Sequence, residues 1–368
     1  MHNIICLKLV SYPFFGLCNQ LYSIAGTLTD AIKRNKHILI INNFQTDIHT
    51  HETVPLRNIL DLYKTNLFLE KYNIKILDTN YLNITINKIT FGLDNSVVDV
   101  TNEILELCNS YFLKSNILHI SKDINLCELK GDPLPYVTKK LYLDYNICGY
   151  NFKAEYVEQN SHLLNHIHIN LSYLVHDMVK TWNTSENQLL FNEILQNLQF
   201  HSKYRLRANK IMESLSTKSN INVIHLRLEN DAINHWARLN NMDEGLFKKK
   251  LEEKYISLIE TYINPKDITF VLTYETSNNV TNFLQLNNYV FFYTQKQIND
   301  GREINAVQDM CIGEYCNHVF IGPIESSTFS NVLALRIKTF HKKVSFNMEH
   351  ILEKETVINA SNLHAHAS

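Results

Sequence analysis

Polar residues alternate with leucines in the segment from His225 to Asp231. The stretch from Asn222 to Leu228 is otherwise apolar and predicts a buried strand, on which His225 and Arg227 share one face because strand side chains alternate. An arginine near the carboxyl end of a strand presents a permanently charged fork of donors that suits a diphosphate. Arg227 could instead pair with Asp231. We favour the anion-binding interpretation, since a buried strand rarely carries both a histidine and an arginine without a ligand.

A second segment, from Phe320 to Ser330, joins a predicted strand to a predicted helix through the consecutive hydroxyl residues Ser326, Ser327 and Thr328. Serine and threonine at such a place are helix N-caps. The free backbone N–H groups and the positive end of the helix dipole also make an anion site. Capping needs only one hydroxyl, so we expect this turn to contact phosphate as well.

A third segment, from Phe14 to Gln20, also lies between a predicted strand and a predicted helix. Gly16 allows the backbone to approach a ligand closely, and Asn19 can cap the helix or bond to a sugar or phosphate. A single glycine before a helix is more often only a turn. This segment therefore indicates a ligand site only in combination with the other two.

The first of the elements that must position these segments form a βαβ opening. Strands are predicted at Ile4 to Val10 and Lys36 to Asn42, and the helix between them has a regularly spaced apolar face. That face consists of Leu21, Ile24, Ala25, Leu28 and Ile32. A βαβ unit places its first loop at the carboxyl end of the first strand, where open α/β sheets bind ligands.

A second series of strands and helices follows a predicted helix from Arg205 to Leu215. Its elements are the strand Asn222 to Leu228, helix Leu246 to Ile263, strands Asp267 to Glu275 and Tyr289 to Thr294, helix Ile304 to Tyr315, strand His318 to Ile324 and helix Ser326 to Lys338. This alternation implies a parallel sheet covered on both faces. The sequence thus predicts an α/β fold of two domains, residues 1–200 and 201–368, with a short disordered tail. The topology from about Asn80 to Arg205 stays open.

Composition excludes several classes of partner. A formal net charge of −2 provides no long-range attraction to nucleic acid or to an anionic membrane. The 7 cysteines lack C-x-x-C spacing, which favours reduced thiols. The N-terminus is not a convincing signal peptide, and no apolar run is long enough to span a bilayer. We therefore expect a cytoplasmic protein without a nucleic-acid partner or a transmembrane segment.

Taken together and in this order, the three segments resemble the GDP-fucose protein O-fucosyltransferase family and its plant and microbial relatives. The segment from His225 to Asp231 matches the central His-Leu-Arg motif of that family. The run from Asn305 to Ser330 is similar to its C-terminal donor-binding motif, and Gly16 to Gln20 is similar to its N-terminal Gly-Asn-Gln loop. Two positions differ from the family pattern. They are Cys18, where relatives usually have glycine, and Thr328, which lies as an extra residue between the serine pair and Phe329.

The resemblance implies a glycosyltransferase of the GT-B type, in which two Rossmann-like domains face across a cleft. Its donor would be GDP-fucose, and its acceptor a glycan or a protein. Arg227 would bind the β-phosphate and the bridging oxygen, and Asp309 and Phe329 would hold the guanine base. Thr328 and Ser330 would lie near the phosphates. The complete substrate-binding set implied in this way is Gly16, Leu17, Cys18, Asn19, Gln20, His225, Leu226, Asp231, Asp309, Ser326, Ser327, Thr328, Phe329 and Ser330.

Transfer from a nucleotide sugar needs stabilisation of the leaving diphosphate. No Asp-x-Asp motif follows a predicted strand, so we predict metal-independent transfer without a cofactor, in which Arg227 and the helix start at Ser326 supply the positive potential. An inverting reaction also needs a carboxylate that accepts the acceptor proton. Glu229 would share the face of Arg227 if the strand continues, and we predict it as this base. The simpler alternative is an ion pair that orients Arg227.

Three alternatives remain open. The donor could be another nucleotide sugar, or the chain could be a non-catalytic nucleotide- or glycan-binding protein of the same fold. Histidines at Asp47 to Glu52 and at His166 to His168 could bind zinc in a metallohydrolase, although no partner set is evident. We also expect Trp236, in the loop after Asp231, either to stack on an acceptor sugar or to belong to the core.

Overall fold

The structure is a computed structural model. It describes residues 4–7, 16–35, 38–41, 43–47, 50, 52–78, 84–106, 126–147, 150–157, 185–215, 219–294, 296 and 300–360. The chain divides into two compact units, the first comprising Met1–Leu9, Asp30–Asn43 and Asn66–Tyr173, and the second Val10–Thr29, Phe44–Thr65 and Leu174–Ser368. Residues 10–29 and 44–65 belong to the second unit, and the predicted domain boundary near Phe200 stays a prediction.

The α-helices that the structure describes from end to end are numbered in chain order. They are α1 (Leu17–Lys33), α2 (Leu62–Leu69), α3 (Leu126–Lys130), α4 (Ser185–Asn197), α5 (Ser202–Glu213), α6 (Asn230–Leu239), α7 (Glu244–Tyr262), α8 (Asn279–Leu286), α9 (Arg302–Gly313) and α10 (Thr328–Arg336). Among the described residues, no helix is both long and apolar enough to cross a membrane.

The strands are numbered in the same way. They are β1 (Ile4–Leu7), β2 (Ile38–Ile41), β3 (Asn43–Gln45), β4 (Thr53–Pro55), β5 (Lys75–Asp78), β6 (Ile84–Leu93), β7 (Ser96–Asp99), β8 (Lys140–Ile147), β9 (Tyr150–Val157), β10 (Ile221–His225), β11 (Ile268–Leu272), β12 (Phe291–Tyr293), β13 (Val319–Gly322), β14 (Lys342–Ser345) and β15 (Thr356–Asn359).

The second unit contains a six-stranded sheet in the order β12-β11-β10-β13-β14-β15. Its strands are parallel except for β15, which pairs antiparallel with β14 at one edge. Every residue of β11 is buried, as expected of an inner strand that is covered on both faces. The predicted α/β fold with a parallel sheet is therefore confirmed. The GT-B arrangement of two domains stays a prediction.

The segment around Arg227 differs from the prediction in its secondary structure. Strand β10 ends at His225, whereas the predicted strand ran to Leu228. Leu226 and Leu228 are fully buried, as the alternation indicated, but the N–H of Arg227 bonds to a tyrosine side chain instead of a neighbouring strand. Helix α6 then begins at Asn230. His235 and Trp236 therefore lie in a helix and not in the predicted loop.

Several elements have no counterpart in the prediction. Helix α8 begins with a capping box in which the Asn278 side chain accepts a hydrogen bond from the N–H of Thr281, and the Thr281 hydroxyl accepts one from the N–H of Asn278. Strands β14 and β15 extend the sheet beyond the last predicted helix. The other elements predicted in the second series are present, and β11, β12 and β13 are shorter than predicted by a few residues.

The first unit contains two sheets. In the three-stranded sheet β1-β2-β5, strands β1 and β2 are parallel neighbours joined through α1 in the sequence, so the predicted βαβ opening is confirmed. The other sheet is antiparallel, in the order β7-β6-β8-β9, and it lies in the region whose topology the sequence left open. On β8, Leu141, Leu143 and Tyr145 are buried in alternation, which is typical of an antiparallel strand with one covered face.

Candidate functional site

A cavity of about 390 Å³ lies where β10, β11 and β13 end, at the carboxyl edge of the parallel sheet. Helices α1, α6, α9 and α10 all begin beside it, and every lining residue belongs to the second unit. Sheets of this type bind ligands at this edge. The residues predicted from the sequence that line the cavity are Gly16, Leu17, Cys18, Asn19, His225, Arg227, Glu229, Asp231, Asp309, Ser326, Ser327, Thr328 and Phe329.

Three predicted residues lie behind the cavity wall instead of lining it. The Gln20 side chain donates to the backbone oxygen of Gln45 at 3.0 Å and accepts from its N–H at 2.9 Å. Leu226 is fully buried in the hydrophobic core of the sheet. Ser330 is also fully buried, and its hydroxyl contacts His225. These residues therefore support the site without reaching its interior.

Arg227 lies between two carboxylates. Its Nη1 is 2.7 Å from Oε2 of Glu229, and its Nη2 is 2.8 Å from Oδ2 of Asp231. Burial works against the charged form, but the two carboxylates outweigh it and hold the pKa of Arg227 above its ordinary value. The side chain of Asp231 is 57% exposed, whereas that of Glu229 is 18% exposed. The Arg227–Asp231 contact is the ion pair that the sequence offered as the alternative to anion binding by Arg227.

The backbone around Arg227 is fixed by Tyr255 on α7. The hydroxyl of Tyr255 accepts a hydrogen bond from the N–H of Arg227 at 3.2 Å and donates one to the carbonyl of His225 at 2.7 Å. Tyr255 is fully buried, so these two backbone groups would lose their partner if the hydroxyl were removed. The direction in which Arg227 leaves the sheet is therefore set by a contact with a distant helix.

His225 connects the end of β10 to the first turn of α10. Its Nδ1 lies 2.6 Å from the Ser330 hydroxyl, and its ring packs on Phe329 with 4.6 Å between ring centroids. Burial, with smaller effects of Arg227 and Lys296, lowers its pKa to about 3, so the imidazole is neutral near pH 7. A Cβ on Gly322 would lie 2.8 Å from the Ser330 hydroxyl oxygen, which explains a glycine at the end of β13.

The hydroxyl residues before α10 have different roles. The Ser327 side chain caps the helix by accepting from the N–H of Ser330 at 3.4 Å. The Ser326 hydroxyl donates to the Asn347 side chain at 3.0 Å and accepts from the N–H of Met348 at 2.7 Å. The Thr328 side chain makes no hydrogen bond with the residues that the structure describes. Of the three, Thr328 has the hydroxyl that is available to a ligand.

Asp309 lies on α9 at the wall of the cavity and is buried. Its carboxylate accepts short hydrogen bonds from the Thr294 hydroxyl and from Nζ of Lys296. Burial raises the pKa of Asp309, while Lys296 and Thr294 act in the opposite direction. A carboxylate has about four acceptor positions, so these two contacts leave it able to accept further hydrogen bonds from a ligand.

Helix α9 has a start built from a distant segment. Its N-cap residue is Gly301, which has no side chain to cap the helix. Instead, the carbonyl of Thr46 accepts from the N–H of Glu303 at 2.9 Å, and Oδ2 of Asp47 accepts from the N–H of Arg302 at 3.3 Å. A Cβ on Gly301 would lie 2.5 Å from the carbonyl oxygen of Thr46. The glycine is therefore required by the close approach of these two backbones.

Glu303 joins the start of α9 to the start of α1. One of its carboxylate oxygens, Oε2, accepts a short hydrogen bond from the N–H of Leu17, and the other, Oε1, is buried without a hydrogen-bond partner among the described residues. Burial is the main cause that raises its pKa to about 6. Asn19, in the first turn of α1, likewise has a buried Oδ1 without a partner in the described part of the chain. Glu303 Oε1 and Asn19 Oδ1 are therefore two oxygen atoms near Gly16 that can still accept a hydrogen bond.

The sequence did not indicate several residues that line this cavity. Arg302 adds a second guanidinium, and the centre of the Tyr274 ring lies 5.7 Å from its Cζ and 4.6 Å from Nζ of Lys296. Glu303 is a buried acid of the lining. Acidic residues are ordinary in the first turn of a helix, so nothing in the local pattern distinguishes Glu303 from a residue that favours the helix dipole.

No cluster of at least three histidine, cysteine or acidic side chains arranged to hold a metal ion occurs among the described residues. The sequence contains two histidine clusters that could bind zinc. Their histidines His49, His51, His166 and His168 lie outside the described residues. Asp47, from the first of these clusters, caps α9 instead. Among the described cysteines, Cys18, Cys311 and Cys316 are buried free thiols and Cys127 is a half-buried thiol. Burial is the largest influence on the pKa of Cys18, Cys311 and Cys316, and it raises each.

Comparison with known proteins gives a likeness of fold. No family model matches the sequence, and no curated protein matches it. Among solved structures, the chain is similar to POFUT1 in complex with GDP, with 12% identity, a TM-score of 0.46 and coverage of 91% of this chain and 94% of that one. It is similar to the fucosyltransferase NodZ from Bradyrhizobium, with 13% identity, a TM-score of 0.47 and coverage of 97% and 99%. Likeness at this level concerns the fold alone, so function has to be argued from the residues of the site.

Proposed function

We propose that this chain is a glycosyltransferase that transfers fucose from GDP-fucose to a hydroxyl group of a glycan or a protein, with inversion and without a metal ion. The observation that carries the proposal is the convergence of three segments, distant in the sequence, on one cavity: the Gly16 loop, the turn at Arg227 and the start of α10. Each segment has residues whose chemistry suits a nucleotide diphosphate. Their convergence is what a donor site needs.

The leaving diphosphate is stabilised by fixed positive charge and by helix starts. The Arg227 guanidinium has five N–H donors, and its two ion pairs engage one nitrogen each at Nη1 and Nη2. Because Asp231 is the more exposed partner, it is the carboxylate that gives way to a phosphate oxygen. Arg302 and the first turn of α10 add positive potential where the bond to the leaving oxygen breaks.

The base and the remaining phosphate contacts follow the resemblance. Asp309 accepts N–H groups of guanine, Phe329 packs on the base, and Thr328 donates its hydroxyl to a phosphate. Glu229 is held against Arg227 at 2.7 Å, and this contact supports a role in orienting the guanidinium. Its role as the general base stays a prediction from the sequence. We also propose a cytoplasmic location, in keeping with the free buried thiols of Cys18, Cys311 and Cys316.

A second candidate is a transferase that uses another nucleotide sugar. Lys296 bonds to the carboxylate that the resemblance assigns to guanine, and a different base would change that contact. A third candidate, a non-catalytic nucleotide- or glycan-binding protein, is favoured by the paired state of Arg227. Ligand-dependent stabilisation together with GDP release distinguishes these three candidate functions.

Thermal denaturation with GDP, UDP, GDP-fucose and UDP-sugars, in buffer with a chelator, tests the donor. We expect GDP and GDP-fucose to stabilise the protein by about 2.7 kcal/mol at a hundred times Kd. UDP without GDP stabilisation would refute the fucose assignment. GDP binding with no release of GDP from GDP-fucose would support the non-catalytic alternative.

Variants at Arg227 test the chemistry. Arg227→Ala should lower the rate of GDP release from GDP-fucose by about 100- to 1,000-fold, because one fixed donor at a developing charge contributes that much. Arg238→Ala, an exposed arginine in the last turn of α6, is the matched control and should leave the rate unchanged. An Arg227→Ala protein with the turnover of the wild type would refute the role given to this arginine.

A further inference from the structure

Each acid that lines the cavity, apart from Glu303, is held by a cation. Glu229 and Asp231 pair with Arg227, and Asp309 pairs with Lys296. Glu303 has no ion pair with any described residue. A carboxylate that is held by a cation is a poor proton acceptor, because the cation favours its ionised form. Among the lining acids, Glu303 is therefore the one that no cation prevents from accepting a proton.

The geometry of Glu303 is that of an oriented carboxylate with one oxygen that has no hydrogen-bond partner among the described residues. The N–H of Leu17 fixes Oε2, and the Thr46 carbonyl holds the backbone N–H of the same residue at 2.9 Å. Oε1 is left without a partner in the described part of the chain, although the residue is only 3% exposed. A buried acceptor without a partner costs free energy, and a ligand hydroxyl in the cavity would satisfy it.

We propose that Glu303 is the general base of the transfer reaction, a role that rests on the proposed function and that replaces Glu229 in it. The acceptor oxygen attacks the anomeric carbon of the donor, and its proton passes to Oε1 of Glu303. The bond between the anomeric carbon and the β-phosphate oxygen breaks, and its electron pair leaves with GDP. The neutral carboxyl then releases its proton to water.

The charged and titratable groups around Glu303 support this role. Burial in the cavity wall raises its pKa to about 6, and Asp47 acts in the same direction. The hydrogen bond from the N–H of Leu17 and the charges of Arg302 and Arg227 act against it. Cys18 and Tyr274 face it as neutral groups, since burial raises the pKa of each. A base whose pKa lies just below the working pH is ionised and still accepts a proton readily.

The experiment compares Glu303→Gln with the wild type, with water as acceptor and GDP-fucose as donor. The glutamine oxygen still accepts the N–H of Leu17, so the loop keeps its anchor. We expect kcat for GDP release to fall by about 100-fold or more, with the Kd of GDP changed by less than about threefold. In the wild type, kcat/KM should rise with pH through about 6, because the base must be ionised, and the variant should lack this limb.

Azide provides a readout that a structural role would not change. Azide attacks the anomeric carbon without a proton to lose, so it should restore GDP release in Glu303→Gln and form fucosyl azide, but it should not rescue Arg227→Ala. Glu325→Gln removes an exposed carboxylate next to Ser326 and should behave as the wild type. Unchanged kcat in Glu303→Gln, or tighter GDP binding without a rate loss, would overturn the role of Glu303 as the base but not the proposed function. A wild type that does not bind GDP would overturn the proposed function and the base together.

Discussion

Helices α9 and α10 both begin at the candidate donor cavity, but their starts are built differently. Helix α10 is capped locally, since Ser327 lies directly before it and accepts the N–H of Ser330. Helix α9 begins at a glycine and takes its acceptors from Thr46 and Asp47, which are far away in the sequence. The difference shows that one helix start depends on its own residues and the other on tertiary structure.

The two starts also carry opposite responses to pH. Ser330 in α10 contacts a His225 whose neutral form is favoured by burial, so acid opposes the native state there. Glu303 in α9 has a raised pKa, so its stabilising contribution is fully present below the unfolded value of 4.5 and is lost as pH rises through about 6. Acid therefore weakens the start of α10, and neutral pH weakens that of α9.

The largest expected effect is the acid response of His225. Its pKa of about 3 in the folded state lies below the unfolded value of 6.5, so the unfolded chain binds more protons between these values. The contribution of neutral His225 is present above 6.5 and should fall by about 3 kcal/mol by pH 4.5, at 1.36 kcal/mol per pH unit. Urea unfolding of wild type and His225→Gln from pH 7 to 4.5 measures it as the change in their stability difference.

The control for this prediction is His350→Gln, which changes an exposed histidine in the turn Met348–His350. Its stability difference from the wild type should stay nearly constant over the same pH range. A constant difference for His225→Gln as well would show that His225 is not held neutral, and the contrast between the two helix starts would be lost.

Gly301→Ala should give the next largest effect. The new Cβ would lie 2.5 Å from a backbone oxygen of Thr46, and backbone moves less readily than a side chain, so we expect a loss of about 1 to 3 kcal/mol in unfolding free energy. Gly245→Ala in the first turn of α7 is the matched control, because its nearest neighbour is the Asp243 side chain. Equal stabilities of the two variants would contradict the long-range construction of the α9 start.

Ser327→Ala should cost about 1 kcal/mol, because the start of α10 loses its side-chain acceptor. Ser327→Asn should recover most of that stability, since asparagine is an equally good N-cap. Chemical denaturation of the three proteins measures the effect. If asparagine does not recover the stability, the role of Ser327 is more than local capping.

Asp47→Asn should have the smallest effect on stability, because the amide oxygen can still accept the N–H of Arg302. Its effect should appear in the pH profile instead. The charge of Asp47 raises the pKa of Glu303, so its removal should lower that pKa and move the rise in kcat/KM to lower pH. A shift to higher pH, or none, would contradict the coupling between these two carboxylates.

Much of the fold could be predicted from local patterns, and the exceptions have identifiable causes. The alternation in β10 continued through Leu226 and Leu228, which are buried beyond the end of the strand, and it concealed that the strand had ended. The same misreading hid α6, although Ile233, Trp236 and Ala237 occupy one face of that helix. The antiparallel sheet of the first unit had a usable signal in the buried alternation along β8, at Leu141 and Leu143.

Like the two helix starts, the candidate site has one part that the local sequence indicates and another part that depends on tertiary structure. The Gly16 loop, the Arg227 turn and Ser326 to Phe329 are short segments whose chemistry is visible in the sequence, and they do line one cavity. Glu303 could not be predicted, because its importance depends on burial and on the N–H of Leu17, both of which require the folded chain. The pairing of Lys296 with Asp309 has the same origin.

The helix starts at Leu17, Asn230, Arg302 and Thr328 border one cavity although they are widely separated along the chain. A ligand that fills this cavity would perturb amide signals at these four helix starts and at the end of β11, with unaffected residues between the five stretches. A ligand bound to a single surface loop would perturb one stretch. The pattern of shifted amides would therefore report occupancy of this cavity before any product has been identified.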